Sequence, residues 1–350
     1  MASGYGSRCE NPSITAIAKV RKSQPAGIRI KQRRNFLNKM QSSFSPVFNA
    51  ASPQAAAISS LFMVVLVICG IILAIVVGIV VVSLICFRQR SGSKDPQPYF
   101  GNRKLEIIWT VVPMLVILWL FVLTVRGMQE SDPPTDQNSD LVVIGHQWWW
   151  EVRYPQTGVV SANEIHIPVG SKWHVRLEST DVIHDLWVPQ LARKMQMIPG
   201  QPNYIWLEAD TSGNYDGSCA EYCGEEHALM RFTVIAEAPA AYAAWLSEQE
   251  KPAIVPVTDA AKNGMKIFQA MTCVNCHSIR GVSITAGAAP DLTHLASRTT
   301  LGAGVLSNTE ANLFLWLKNP QAAKPGCLMP DLKLTDAQAD ALASYLETLQ

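Results

Sequence analysis

Residues 219–230 read Cys219-Ala220-Glu221-Tyr222-Cys223-Gly224-Glu225-Glu226-His227-Ala228-Leu229-Met230. Two thiols, an imidazole and a thioether are soft or borderline ligands, and this set suits copper better than magnesium or calcium. A second imidazole, that of His184, would complete a centre in which two cysteines bridge two coppers. Such bridging spreads one electron over both metals and allows transfer with little rearrangement. The spacing alone leaves a zinc site or a disulfide in an exported domain as alternatives.

A second metal motif lies about fifty residues further along the chain, at Cys273-Val274-Asn275-Cys276-His277. This C-x-x-C-H pattern is typical of covalent c-type haem, with two thioether links and His277 on the iron. Helix signals precede it at Thr258 or Asp259 and follow it at Thr335. Met329, before Pro330, is the best sixth ligand, because His/Met ligation suits an electron-transfer haem. A core methionine or ligation by His294 is the alternative.

Short β-branched or alternating runs occupy the chain between Asp140 and Glu237. They are separated by turn signals and predict several short strands, which favours a β-sandwich or barrel. The runs are 141–144, 164–167, 174–177 and 232–235. The copper ligands would then lie on loops at one end of a rigid scaffold. Residues 238–258 are rich in Ala and Pro and are expected to form a linker, with a short helix around Trp245.

Two uncharged apolar runs precede the β region, over about 58–87 and 106–127 within a segment at 55–130. Each is long enough to cross a bilayer, since a span needs about 20 apolar residues. They predict a transmembrane hairpin, and Pro113 is tolerable if neighbouring helices cover the freed carbonyl. The loop between them carries Arg and Lys, whereas 40–57 carries neither. The positive-inside rule therefore places the loop in the cytoplasm and both redox modules outside.

The N-terminal residues 1–54 form an extension that we expect to be disordered. It is polar, and its first 39 residues are basic. The basic residues would resist translocation, so a start at Met40 is an alternative to a real extension.

The charged fraction is 16% and the formal net charge is +1, so charge names no partner and we expect no nucleic-acid partner. Four of the eight cysteines belong to the two metal motifs, so the cysteine pattern indicates metal sites rather than a disulfide framework.

The segment 55–237 resembles subunit II of cytochrome c oxidase, and 259–350 resembles a class I cytochrome c. The first resemblance rests on the copper motif and on further segments at 104–110, 145–150, 188–189, 194 and 198–200. Together they imply a multidomain membrane protein with a two-helix hairpin, an all-β cupredoxin-like sandwich (131–237) and an all-α cytochrome domain, as in caa-type oxidases. The resemblance implies a binuclear CuA centre held by His184, Cys219, the Glu221 carbonyl, Cys223, His227 and Met230.

The resemblance also implies roles outside the copper ligands. The Glu221 carboxylate would help to bind a magnesium ion shared with subunit I, Trp148 would accept electrons, and Glu106 would lie at the mouth of a proton channel. The alternatives are that the Glu221 carboxylate is simply solvated, that Trp148 only packs, and that Glu106 forms an interfacial ion pair. We expect structural roles for three other histidines, His146, His166 and His174. Cys327 has no assigned role.

The sequence thus predicts subunit II of a respiratory terminal oxidase in a bacterial plasma membrane. It would pass electrons from an external donor through haem c, held by Cys273, Cys276, His277 and Met329, and through CuA to subunit I. Subunit I would reduce dioxygen and pump protons, and subunit III is a further expected partner. Three alternatives remain: a quinol oxidase subunit, which should lack the copper ligands; a nitrous-oxide reductase, which should lack the hairpin; and a copper chaperone or redox sensor.

Overall fold

A computed structural model describes residues 48–88, 101–133, 138–284 and 287–350. The chain divides after Asn49, and the second unit, Ala50–Gln350, contains all the elements described below. The predicted disordered extension lies almost wholly outside the described residues, as does most of the loop between the two apolar segments.

Two long helices open the second unit, α1 (Pro53–Cys86) and α2 (Arg103–Ser131). Both are long and apolar enough to cross a membrane, and their apolar side chains are exposed. Each begins a few residues before the predicted span because a polar residue caps it. The Ser52 hydroxyl accepts a hydrogen bond from the backbone N–H of Ala55, and the Asn102 amide oxygen accepts one from Lys104.

Ten strands form the next region, which matches the predicted sandwich. They are β1 (Leu141–His146), β2 (Trp149–Tyr154), β3 (Val159–Ala162), β4 (Glu164–Pro168), β5 (Trp173–Ser179), β6 (His184–Trp187), β7 (Met195–Met197), β8 (Asn203–Leu207), β9 (Gly213–Cys219) and β10 (Arg231–Glu237). One five-stranded sheet has the order β3-β2-β1-β5-β8 and the other β4-β10-β9-β6-β7. The β1–β5 and β4–β10 pairs are parallel.

The core of the sandwich follows from period-two alternation along its strands. Leu141 and Val143 of β1, and Val175 and Leu177 of β5, are fully buried. The same core encloses the Trp150 side chain. The membrane hairpin is fixed to this scaffold at its first turn, because the Ser52 hydroxyl donates to the Leu191 carbonyl at 2.5 Å.

The C-terminal region is helical, as predicted. Its helices are α3 (Pro239–Gln249), α4 (Asp259–Ala270), α5 (Glu310–Lys318), α6 (Pro320–Ala323) and α7 (Asp336–Leu346), with a small ribbon of β11 (Thr300–Leu301) and β12 (Leu306–Ser307). Thr258 caps α4, and Thr335 forms a capping box with Gln338 on α7. Helix α3 lies in the predicted linker 238–258 and includes Trp245. Helices α4 and α7 cross closely at Gly264, where a Cβ would lie 1.9 Å from the Ala341 carbonyl oxygen.

The sandwich and the helical domain contact each other through polar groups and a small apolar cluster. The Thr299 amide and hydroxyl both donate to the Glu164 carboxylate, the amide at 2.7 Å. The Arg231 amide donates to the Ala303 carbonyl at 3.2 Å. Trp149, Ala162 and Ala303 form the apolar part. The helical domain therefore rests on the sandwich beside the predicted electron-entry segment.

Candidate metal and haem sites

The predicted copper ligands gather where two antiparallel strands meet. Leu186 of β6 lies opposite Cys219 of β9, so the beginning of β6 and the end of β9 are neighbours. His184 is the first residue of β6 and Cys219 the last of β9. The loop from β9 to β10 carries Cys223. A single 3₁₀ turn in the same loop begins at His227 and ends just before Met230.

All six predicted ligand groups lie within reach of one another. The two Sγ atoms of Cys219 and Cys223 are 3.7 Å apart. The Cys219 sulfur lies 3.9 Å from His184 Nδ1 and 3.2 Å from the Glu221 carbonyl oxygen. The Cys223 sulfur lies 3.6 Å from His227 Nδ1 and 3.8 Å from Met230 Sδ.

This arrangement fits two metal ions and does not fit a disulfide. A disulfide needs sulfurs about 2.05 Å apart, whereas a separation of 3.7 Å lies within the reach of an ion bonded to both sulfurs at about 2.3 Å. Each cysteine has its own imidazole and its own weak donor, so the donors divide into two similar sets. His184, Cys219 and Cys223 are buried, which keeps water away from the centre.

Neighbouring groups fix the orientation of His184. The Asp181 carboxylate accepts a hydrogen bond from His184 Nε2 at 2.8 Å, which leaves Nδ1 facing the sulfurs, as expected of a carboxylate that supports a metal-bound histidine. Burial alone would lower the pKa of His184, but the hydrogen bonds of Asp181 and Cys219 outweigh it, and the pKa lies above its ordinary value. The hydrogen bond between the Cys219 and Cys223 sulfurs, 3.7 Å apart, lowers the pKa of Cys219.

The C-x-x-C-H motif lies in the wall of a cavity of about 430 Å³. Cys273, Cys276 and His277 line it, and so does Met329, so the structure brings the four predicted haem residues to one cavity. His277 Nδ1 donates to the Pro290 carbonyl at 2.8 Å, which leaves Nε2 free to bind iron. Burial lowers the pKa of His277, and a neutral imidazole is the form that binds a metal.

The chain around Met329 is fixed by one side chain of α6. Gln321 Nε2 donates to the carbonyls of Cys327 and Met329 at 2.6 and 3.0 Å. Its Oε1 accepts a hydrogen bond from the Gly326 amide at 2.9 Å. Cys327 also lines the cavity, and burial raises the pKa of its thiol, so at neutral pH it is a protonated wall residue.

Residues of the sandwich complete the same cavity. Gln147, Trp148, Trp149 and Asn163 line it together with the residues of the helical domain. Trp148 Nε1 donates to the Cys223 carbonyl at 3.0 Å, and Gln147 Nε2 donates to the same oxygen at 2.8 Å. The predicted electron-entry tryptophan therefore contacts both the cavity of the C-x-x-C-H motif and Cys223, a predicted copper ligand.

The remaining predicted positions are dispersed. The Glu221 carboxylate accepts a hydrogen bond from Gln196 Nε2 at 3.5 Å on the surface, and Glu106 lies exposed in the first turn of α2. The His294 ring is buried and bonds the carbonyls of Gln350 and Lys251. It lies outside the cavity lining, which favours Met329 as the sixth ligand.

The three histidines expected to be structural have partners away from the copper ligands. His146 stacks on Trp149, His166 stacks on Trp245, and His174 stacks on Tyr204. These contacts support the structural interpretation.

Two residues of the sites were missed by sequence reasoning. Asp181 lies three residues before His184, just outside β6. A carboxylate this close to a candidate histidine ligand is a sequence signal that could have identified it. Lys324 lies in the Gly/Pro-rich segment before Met329, and its Nζ reaches Trp148 and Leu229 of the sandwich. No local pattern indicates a contact between domains so far apart in sequence.

Comparison with known proteins agrees with this architecture. Three family descriptions match: "Cytochrome C oxidase subunit II, transmembrane domain" over residues 39–126, "Cytochrome C oxidase subunit II, periplasmic domain" over 159–237 and "Cytochrome c" over 261–350. The cytochrome c oxidase subunit 2 of Alkalihalophilus pseudofirmus is 34% identical over 85% of this chain and 89% of its own. The chain belongs to the cytochrome c oxidase subunit II family.

Two further matches are with members of the same family. The cytochrome c oxidase subunit 2 of Bacillus sp. strain PS3 is 35% identical over 75% of this chain and 80% of its own. The crystal structure of the periplasmic domain of subunit II from Bradyrhizobium japonicum is 27% identical, with a TM-score of 0.31, and covers 32% of this chain and 95% of that one.

Family membership and the observed sites together have direct consequences. The chain is a membrane protein with two apolar N-terminal helices, a sandwich and a C-terminal cytochrome c domain. Copper and haem c are the implied cofactors, and an oxidase subunit I is the implied partner.

Proposed function

We propose that this subunit II passes electrons from an external donor through covalent haem c and a two-copper centre to the haems of subunit I. When bound, the haem and the coppers would supply one-electron transfer. Cys273 and Cys276 would hold the haem covalently, with His277 and Met329 on its iron. His184, Cys219, Cys223, His227, Met230 and the Glu221 carbonyl would hold the coppers.

The observation that carries the proposal is the position of Trp148. Its indole lines the haem cavity, and its N–H donates to the carbonyl of the bridging ligand Cys223. The hydrogen bond provides a short route of one side chain and one backbone group between the two sites. Because the cytochrome domain rests on this tryptophan, an external donor would deliver electrons to haem c rather than directly to the sandwich.

The protein's own groups would keep the centre rigid. Asp181 holds His184 through Nε2 and also accepts a hydrogen bond from the Gln147 amide at 2.7 Å. One carboxylate thus connects a copper ligand with the segment of Trp148. Fixed ligands limit the rearrangement that accompanies electron transfer, which is the task left to the protein when cofactors supply the chemistry.

The setting of the subunit extends the proposal beyond this chain. Both redox domains would lie on the periplasmic or extracellular side of a bacterial plasma membrane, as the positive charges between α1 and α2 indicate. Dioxygen reduction and proton pumping would occur in subunit I, with subunit III as a further partner. Glu106 would serve a proton channel, since an ionisable residue beside a span is a functional candidate, and the Glu221 carboxylate would help to bind magnesium.

The first experiment is metal analysis of the full-length chain, purified in detergent after haem maturation and copper loading. We expect two coppers and one covalent haem per chain, with a delocalised mixed-valence copper signal in the EPR spectrum. Cys276→Ser should weaken covalent haem attachment and leave the copper signal intact, so each centre has its own control. A single copper with a localised signal, or zinc in its place, would contradict the copper assignment.

A second experiment tests the role of Trp148. In the assembled oxidase, Trp148→Phe keeps an aromatic ring but removes the N–H that bonds the Cys223 carbonyl. We expect slower transfer from haem c to copper with unchanged copper content. Trp245→Phe, which changes an indole that stacks on His166 away from the cavity, is the matched control. Equal transfer rates in the Trp148 variant and the wild type would exclude this route.

The observed donor set also bears on the alternative functions. A quinol oxidase subunit would not need the six copper-directed groups that converge here. A copper chaperone or sensor would not need a haem cavity closed by the copper domain. Copurification with a large haem-copper subunit would support the oxidase, and its consistent absence would favour the chaperone.

A further inference from the structure

Lys324 is a buried cation at the junction of the sandwich and the cytochrome domain. It lies between α6 and Met329, and only 3% of its surface is exposed. Its Nζ donates to the carbonyls of Trp148 at 2.8 Å, Leu229 at 3.1 Å and Gly302 at 3.2 Å. An ammonium group has three donors, so these three carbonyls satisfy it completely.

Two of the three acceptors belong to the other domain. Trp148 and Leu229 are residues of the sandwich, whereas Gly302 belongs to the cytochrome domain. Leu229 directly precedes the copper ligand Met230, and Trp148 bonds the Cys223 carbonyl. The side chain of Lys324 therefore contacts the loop of the copper ligands and the tryptophan of the proposed route at the same time.

The backbone of Lys324 is fixed on the haem side. Its amide donates to the Pro320 carbonyl at 2.8 Å and its carbonyl accepts from the Cys327 amide at 3.2 Å. Gln321 then bonds the carbonyls of Cys327 and Met329. A single continuous set of hydrogen bonds thus connects the loop of the sixth haem ligand to the loop of the copper ligands.

Burying an ammonium is costly unless it is paired and hydrogen-bonded. Burial lowers the pKa of Lys324 to about 8, although the nearby carboxylate of Glu226 acts in the opposite direction. A side chain needed only for packing would not require a charge at this position. Two charge-assisted hydrogen bonds across the junction, with a third to Gly302 in its own domain, are what a positional role would require.

We propose that Lys324 is a positioning residue that holds the haem cavity against Trp148 and so sets the rate of haem-to-copper electron transfer. This role rests on the proposed function above. Other hydrogen bonds across the junction, such as those of Thr299 to Glu164, start outside the segment 324–330. Among the described residues of that segment, Lys324 is the one whose side chain hydrogen-bonds to the sandwich.

The test compares Lys324→Met with wild type in the assembled oxidase carrying haem and copper. Methionine keeps the length of the side chain and removes all three donors. Each hydrogen bond from a charged donor changes an equilibrium by about 10-fold or more, so we expect transfer from photoreduced haem c to copper to slow by at least about 10-fold. The haem and copper spectra should be unchanged. Lys262→Met, an exposed lysine of α4, is the control and should transfer at the wild-type rate.

A second measurement does not depend on electron transfer. The amides of Arg231 and Thr299 bond acceptors in the opposite domain, so hydrogen exchange at both reports on docking. We expect faster exchange in Lys324→Met and an intermediate rate in Lys324→Gln, which retains one donor group. Wild-type transfer and exchange rates in both variants would overturn the proposal. If wild type itself shows no haem-to-copper transfer, the proposed function fails, and the exchange rates alone decide whether Lys324 holds the domains together.

Discussion

Gly145 of β1 leaves room for the side chain of His184, a proposed copper ligand. A Cβ at Gly145 would lie 2.7 Å from His184 Cδ2 and 3.1 Å from its Cγ. Carbon atoms in favourable contact are about 3.5 Å apart or more, so Gly145→Ala should displace the ring or the strand by roughly 0.8 Å, the difference between these distances. The sheet pairing of β1 on both sides resists movement of the strand, so the ring should take up most of the displacement.

The size of the effect follows from the tolerance of metal sites. Ligand distances are held within about 0.2 Å of their preferred values, so a shift several times larger should break or lengthen the bond from His184. Disturbing the groups that orient a ligand costs about 10- to 100-fold in metal affinity, and displacing the ligand should cost at least the lower figure. Overpacking should also lower the free energy of unfolding of the apo-protein by about 1–3 kcal/mol.

The assay is copper retention by the full-length chain against a competing chelator, recorded together with the EPR spectrum. We expect at least about a 10-fold loss of copper affinity and a more localised copper signal in Gly145→Ala. Gly213→Ala is the matched control, because its Cβ would meet only Tyr215, at 3.8 Å, and it should behave as wild type. Wild-type copper affinity and spectrum in Gly145→Ala would refute the argument that space at β1 controls the position of His184.

Three further predictions concern the cytochrome domain and its junction with the sandwich. Gly264→Ala should lower its free energy of unfolding by about 2 kcal/mol, since the Cβ would lie 1.9 Å from a carbonyl oxygen of α7 and the overpacking cost exceeds the gain in helix propensity of about 1 kcal/mol. Gln321→Ala removes three hydrogen bonds around Met329, and methionine ligation should be lost at a lower temperature, as followed by the haem absorption spectrum. Burial alone would raise the pKa of Glu164, but hydrogen bonds from His166 and Thr299 outweigh it and lower the pKa. The stabilisation by Glu164 is therefore present at neutral pH and should be lost as the pH falls below the ordinary glutamate pKa of about 4.3 and through the lowered pKa of Glu164. The loss should be seen as a smaller protection factor for hydrogen exchange at the Thr299 amide.

Each of these predictions has its own control. Asn263→Ala, at an exposed position next to Gly264, gains helix propensity without a clash and should not destabilise the domain. Gln338→Ala should weaken the capping box of α7 and leave methionine ligation in place. Glu164→Gln keeps an acceptor for Thr299 but cannot titrate, so the protection factor of the Thr299 amide should no longer fall with acid. The opposite result in any one of these controls would contradict the corresponding argument.

The fold was predictable where the sequence has a strong period or a cap. Two long uncharged runs predict the apolar helices, and alternation along 141–144 and 164–167 predicts strands of the sandwich. Helix boundaries were less predictable, because α1 begins at Pro53 through a cap by Ser52, five residues before the expected start at 58. A polar capping residue extends the helix beyond the apolar run, and hydrophobicity alone does not indicate that extension.

The convergence of the candidate ligands was predictable where their spacing is local. Cys219 ends β9 and Cys223, His227 and Met230 follow it within eleven residues, and the C-x-x-C-H motif is a single short segment. His184 and Met329 are distant in sequence: Met329 was indicated by its place before Pro330, and the complete sets stay predictions that rest on the family resemblance. Asp181 was open to inference from its place before His184, whereas the stacking of His166 on Trp245 depends on tertiary packing that no local period encodes.

The junction between the two redox domains lay beyond sequence reasoning for a physical reason. A linker predicts that the cytochrome domain is near the copper domain, which raises its effective concentration, but it leaves the orientation open. Orientation depends on a few desolvated contacts, here those of Lys324 with Trp148 and of Thr299 with Glu164. These contacts place the haem cavity on the tryptophan that bonds the Cys223 carbonyl. The linker therefore controls how near the two domains are, and the buried lysine controls how they are oriented. A variant at Lys324 should slow electron transfer while leaving the linker, the haem and the copper ligands as they are.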